Sequence, residues 1–148
     1  MAYLSDILSN RAFGACLLAW FLAQGAKVII HRITDKEWNF NRFFQLGGMP
    51  SSHSAVTSCV AISTGIMRGF GSLEFTITLV FALVVMTDAA GVRREAGQHA
   101  RLINEILKDM IDNGRGLTPE KLKELLGHSP FEVAVGALLG VLVAIAAI

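Results

Sequence analysis

This chain of 148 residues is poor in charge: Asp, Glu, Lys and Arg together make up 17%, against roughly 25% in a typical soluble domain. The formal net charge is only +1, so bulk charge gives no basis for nucleic-acid binding. The two cysteines, Cys16 and Cys59, both sit inside apolar stretches. That is no setting for a disulfide framework or a metal cluster, and they read as small buried hydrophobes. There is no internal repeat and no low-complexity tract, which sets aside solenoids and linker arrays. The stretch Met1–Arg11 is mixed in character and no small-residue cleavage site follows the first apolar run, so no cleavable signal is expected. The length accommodates one domain, spanning 1–148.

Apolar residues are abundant, at 53%, and the mean hydropathy is +0.52. The expected fold class is therefore all-α: a polytopic membrane helical bundle. Four apolar segments, Phe13–Ile30, Ala55–Met67, Phe75–Thr87 and Val133–Ile148, predict about four spanning helices. An upright crossing needs about 20 residues, so the middle two must recruit their flanks. If all four span, eleven of the thirteen Lys and Arg residues fall on one side and only Arg11 and Arg68 on the other. This positive-inside bias orients the polar loops His31–Ser54 and Asp88–Pro130 together toward the cytoplasm.

The second of those loops is expected to be largely helical. Leu102, Ile103, Ile106, Leu107, Met110 and Ile111 recur at helical spacing and form one apolar stripe. Asn113, Gly114 and Gly116 end it, and Thr118-Pro119 starts a short helix through Leu126. These are the amphipathic cytoplasmic-side helices of the predicted architecture. In the last segment Gly136 and Gly140 stand four apart, a small-residue packing pattern.

Two constellations carry the chemistry. The first is Gly47-Gly48-Met49-Pro50-Ser51-Ser52-His53-Ser54-Ala55. Glycines can turn backbone N–H groups toward a ligand, a helix N-terminus adds its positive dipole end, and a histidine can pass a proton near neutral pH. Together these read as an anion site at a membrane surface, with phosphate as the anion. The plainer alternative is a helix start with Pro50 and Ser51 as capping residues. The second constellation runs from Asp88 to His99. Extended backward at 100° per residue from the apolar stripe, Asp88, Glu95 and His99 project onto one face, where a carboxylate would partner the histidine. A metal site built from these three is disfavoured, because their spacing matches no ligand motif. Cations at Lys27, Lys36, Arg42 and Arg93 share the same side. Phosphoryl transfer needs such parts: cations for the equatorial oxygens, an in-line nucleophile and an acid for the leaving oxygen.

The strings Gly-Gly-Met-Pro-Ser-Ser-His-Ser-Ala at 47–55, Asp-Ala-Ala-Gly-Val-Arg-Arg at 88–94 and Gly-His-Ser-Pro-Phe-Glu-Val at 127–133 resemble the divergent branch of the type 2 phosphatidic acid phosphatase family. That superfamily also includes acid phosphatases and vanadium haloperoxidases. The resemblance implies an all-helical fold and metal-independent hydrolysis of phosphomonoesters or diphosphates, often of lipids, with three motifs: Lys-x6-Arg-Pro, Pro-Ser-Gly-His and Ser-Arg-x5-His-x3-Asp. Carried over, Pro50-Ser51-Ser52-His53 matches the second motif with Ser52 in place of glycine. His53 becomes the general acid, while Gly48, Ser51 and Ser52 become phosphate contacts. Arg93-x5-His99 matches the spacing of the third motif, making His99 the nucleophile and Arg93 a phosphate ligand. Val92 replaces the serine there and Ile103 the orienting aspartate, which leaves Asp88, Glu95 or Asn104 for that role, with the helical projection favouring Asp88 or Glu95. The first motif is represented by Lys36-x5-Arg42, one residue short and with Phe43 for proline, and Lys27 is a rival for its lysine.

The expected function is that of an integral membrane phosphatase. It hydrolyses a lipid or isoprenoid phosphate through a phosphohistidine at the cytoplasmic face of a bacterial membrane, without cofactor or metal. A catalytically silent relative that keeps the pocket as a binding or scaffold protein is the alternative, and a small transporter subunit is a third reading. A phosphorylated lipid, the membrane itself and a second copy in a homodimer are the expected partners; nucleic acid is not. His31 reads as an interfacial surface histidine, His128 as a structural one, and Trp20 and Trp38 as interfacial anchors.

Overall fold

Local capping sets most of the helix boundaries. The structure is a computed structural model and describes residues 2–36, 38–40, 43, 47–112 and 127–148. Among these, six helices form: α1 (Ala2–Leu8), α2 (Arg11–Asp35), α3 (Ser52–Arg68), α4 (Leu73–Ala90), α5 (Val92–Asp112) and α6 (Pro130–Ala147). Asn10 caps α2 by accepting from the Phe13 amide, and Ser72 caps α4 by accepting from that of Phe75. Ser51 caps α3, whose far end closes on Gly69 at φ 92°. Ser129 and Glu132 form a full capping box at the start of α6, with Pro130 in its first turn. The short helix expected from Thr118 through Leu126 lies outside the described residues.

The helices alternate in direction. Arg11 at the start of α2 donates to the Ala147 carbonyl at the end of α6, at 3.2 Å, so these two run antiparallel. At the opposite end, Lys27 of α2 meets Ser52 of α3, the Ser51 amide donates to the Glu132 carbonyl, and the His128 amide donates to the Ala89 carbonyl of α4. Those bonds bring the two polar loops together at one end of the bundle.

Among the described residues three helical stretches are long and apolar enough to cross a membrane: Arg11–Asp35, Leu73–Lys108, which includes α4 and runs past its end at Gly91 into α5, and Pro130–Ala147. Their outward faces carry exposed Phe21, Leu22, Val80, Phe81, Val84, Leu138 and Leu142, the side chains a lipid-facing surface requires. The other expected span, Ala55–Met67, folds as α3 but is not among the three. It is the central helix, packed against α2, α4 and α6. Its composition follows from that position, because Ser54, Ala55, Thr57, Ser58, Cys59, Ala61 and Ser63 face protein and not lipid. Thr57 and Thr64 bond back to carbonyls one turn earlier, which satisfies their hydroxyls without water.

α3 and α6 run parallel and approach through the two glycines. A β-carbon on Gly136 would collide with the Ser51 carbonyl and lie 3.0 Å from its nitrogen. One on Gly140 would collide with the Ala55 carbonyl and lie 2.9 Å from the Cys59 nitrogen. Backbone thus meets backbone at both levels, the use of small residues that membrane helices favour. Cys16 and Cys59 are free thiols in the same buried cluster, with Ala19, Val143 and Ala144.

The continuous helix projected across Asp88, Glu95 and His99 does not exist. The Gly91 backbone leaves the helical region, at φ −102° and ψ −88°, and ends α4. Asp88 belongs to the last turn of α4, whereas Glu95 and His99 belong to α5. The angular register cannot be carried through the break.

Candidate active site

The loop entering α3 is shaped by Gly47 and Gly48, at φ 92° and 79°, a region open to glycine and costly for other residues. A cis Met49–Pro50 peptide follows. Ser51 is fully buried, at 0% exposure. Its hydroxyl accepts from the Ser54 amide and its own amide donates to the Glu132 carbonyl. Its polar groups therefore hold the loop against α6, the work of a cap. The positive end of the α3 dipole therefore lies at this loop.

Lys27 comes to this point from α2. It is 6% exposed, its Nζ lies 3.4 Å from the Ser52 hydroxyl, and Glu132 is its electrostatic partner. Beside it opens a cavity of about 190 Å³ lined by Lys27, His31, Asp35, Gly47, Gly48 and Met49. His31 is not a bare surface group, since its ring pairs with Asp35 one turn on.

The ring of His53, in the first turn of α3, faces the ring of His128, edge to face, with centroids 6.2 Å apart. His128 is 3% exposed and its Nδ1 lies 3.1 Å from the Glu132 carboxylate. The same carboxylate oxygen accepts from the Ser129 amide at 3.1 Å. With a carboxylate as acceptor, Nδ1 carries the proton and the lone pair of the neutral ring resides on Nε2.

Lys27, Gly48, Ser51, Ser52 and His53 thus lie together at the entry to α3. Asp88 is half-buried at the end of α4, next to the Ala89 carbonyl that receives His128. Lys36 is an exposed C-cap with φ 59°. Arg42 lies outside the described residues, and of Arg93 only the backbone, in the first turn of α5, is described. Glu95 and His99 are exposed, and among the described residues α5 packs only on α4. The structure therefore does not bring His99 to His53.

Sequence reasoning passed over the pair His128 and Glu132. Two signals were available. Ser129-Pro130-Phe131-Glu132 is a capping box, which fixes Glu132 at the head of a helix. In addition, His128-x3-Glu132 reproduces the His-x3-carboxylate spacing that is missing at His99 and Ile103. Among the described residues no group of three or more His, Cys, Asp or Glu side chains is arranged to hold a metal ion.

The fold and this arrangement define an integral membrane protein of the helical-bundle class, with a polar pocket at one end. The Divergent PAP2 family model matches residues 8–143, and the chain belongs to that family. It is 36% identical over 147 residues to the uncharacterized membrane protein YuiD of Bacillus subtilis (strain 168), covering 93% of each chain. No solved structure matches it significantly.

Proposed function

We propose that the protein is a membrane phosphatase that hydrolyses a lipid or isoprenoid phosphate without a metal, and that His128 is its nucleophile. The observation that carries this reading is the 6.2 Å approach of the His53 and His128 rings, with His128 held by Glu132 and Lys27 alongside. In this scheme Nε2 of His128 attacks phosphorus and the P–O bond to the lipid breaks. His53, as imidazolium, gives its proton to the leaving oxygen. The phosphohistidine is then attacked by water, whose proton returns to His53, and phosphate departs. Lys27 offsets charge on the phosphoryl oxygens, with Arg93 in the same role, and Glu132 stabilises the positive imidazole ring. The site end faces the cytoplasm in this reading, following the distribution of Lys and Arg.

The test is phosphate release by purified protein in detergent with EDTA present, against phosphatidate, phosphatidylglycerophosphate, an isoprenoid diphosphate and p-nitrophenyl phosphate. Turnover abolished by His53→Ala and by His128→Ala but kept by His99→Ala is the expected result. Loss in His99→Ala with retention in His128→Ala would return the nucleophile to α5. No turnover on any substrate, with phosphate or vanadate still bound in a Lys27-dependent way, would select the silent binding protein.

A further inference from the structure

Cys16 and Cys59 are two nucleophilic groups that the phosphatase scheme leaves unused. They stand far apart in the sequence, but the packing of α2 on α3 brings their side chains into thiol-to-thiol hydrogen-bond contact. Both belong to the buried cluster formed with Ala15, Ala19, Val143 and Ala144. The Cys59 sulfur also lies 4.0 Å from the hydroxyl of Ser63, a polar neighbour for a thiol proton in that apolar layer. A disulfide forms only where two cysteine side chains already approach, and sulfurs in mutual contact need little backbone movement to bond.

The two thiols differ in access. Cys59 is fully buried, whereas Cys16 is 9% exposed. Cys16 forms part of the wall of a groove of about 650 Å³ between α2 and α3, beside Phe13, Leu17, Trp20, Val56 and Val60. Phe13 and Leu17 are exposed, so the groove opens on the lipid-facing side of the bundle. Its apolar walls, two of them aromatic, suit a flat uncharged molecule and penalise a charged one. At 1.5 Å per residue Cys16 lies about 8 Å from the start of α2 and about 16 Å from Lys27. The dithiol therefore occupies the half of the bundle away from the polar pocket, where the helix ends carry Arg11 and Arg68. In the orientation proposed above that half is extracytoplasmic, the side on which disulfides persist.

We propose that Cys16 and Cys59 are a redox-active dithiol, converted to an α2–α3 disulfide by a membrane-soluble quinone that reaches Cys16 through the groove. Both S–H bonds break and one S–S bond forms. The two electrons and two protons released pass to the quinone, which leaves as quinol. No part of this step involves the phosphate pocket, so it stands or falls independently of the phosphatase reading.

The experiment treats the reduced full-length protein in lipid nanodiscs with decylubiquinone, or with oxidised glutathione as a charged aqueous oxidant. Non-reducing proteolysis with mass spectrometry reads the linkage, and quinone absorbance reads the quinol. Wild type should give a peptide pair joined through Cys16 and Cys59, with one quinol per disulfide. The reaction should be roughly tenfold faster with decylubiquinone than with oxidised glutathione, because site access governs thiol oxidation. Cys16→Ala and Cys59→Ala should each abolish quinol formation. Leu17→Trp, at a rim position that is 44% exposed and tolerant of bulk, should slow the quinone reaction by narrowing the groove. The bond closes a loop of about 43 residues, so oxidised protein should unfold at a higher SDS concentration than reduced protein. Thiols that both remain free to N-ethylmaleimide after denaturation, a quinone adduct on Cys16 without a disulfide, equal rates with the two oxidants, or a lowered unfolding midpoint would overturn the proposal.

Discussion

Glu132 is where structure and chemistry separate most cleanly. One of its carboxylate oxygens accepts from both the Ser129 amide and His128 Nδ1, each at 3.1 Å. Hydrogen bonds to a charged partner contribute about 1.5–3 kcal/mol each. The Glu132 side chain is 24% exposed, which places both near the lower limit. Glu132→Ala deletes the pair and leaves a buried imidazole N–H without its partner, so the expected loss is about 3 kcal/mol. Glu132→Gln keeps an oxygen for both donors but removes the charge that faces both His128 and the buried Lys27, for a loss of about 1–2 kcal/mol. Turnover responds differently, because an uncharged partner no longer stabilises the positive ring. Carboxylates that orient metal-bound histidines cost about 10–100-fold when altered, and a kcat loss of the same order is expected for Glu132→Gln, because Glu132 orients a histidine in the same way. Unfolding by SDS titration and phosphate release on the same preparations measure both effects. A Glu132→Gln protein that folds and turns over at the wild-type rate would refute the reasoning, since Glu132 would then be a helix cap and nothing more.

Further outcomes follow from the same geometry. Gly140→Leu places a side chain against the Ala55 carbonyl and the Cys59 nitrogen; overpacking of this kind costs about 3 kcal/mol or more, read as loss of folded protein in the same titration. Gly14→Leu, where nothing lies within 4 Å of an added β-carbon, is the matched control and should be tolerated. Lys27→Met should move stability and function in opposite directions, because an apolar isostere relieves a buried charge while phosphate loses its cation. Unfolding midpoint and vanadate affinity, measured together, check it. His99→Ala should leave phosphate release at the wild-type level, as expected for an exposed residue on a helix that packs only on α4 among the described residues.

Much of the architecture was legible because membrane helices announce themselves by hydropathy. α2, α4 and α6 follow the apolar runs, and Gly136 and Gly140 do mark a close helix contact. The central position of α3 was less visible, because a helix shielded by three others can carry serine and threonine where a lipid-facing span cannot. The site divides in the same way. The glycine turn and His53 stand out as a contiguous string, and Lys27 was weighed from its place at the end of a span. The His128–Glu132 pair was hidden by its double use, since the residues that build an ordinary capping box also orient a histidine. His99 drew attention through a spacing match along the sequence, but spacing has no knowledge of the break at Gly91, which sends α5 on its own course.

The central claim is that a phosphoryl group passes through His128. Rapid acid-free quenching of the protein during turnover, followed by peptide mass spectrometry, tests it most directly. The account predicts a base-stable, acid-labile phosphoryl group on the peptide containing His128, which accumulates when His53 is replaced by alanine and a substrate with a good leaving group is supplied. A phosphoryl group on His99, or turnover with no histidine adduct under those conditions, would contradict it.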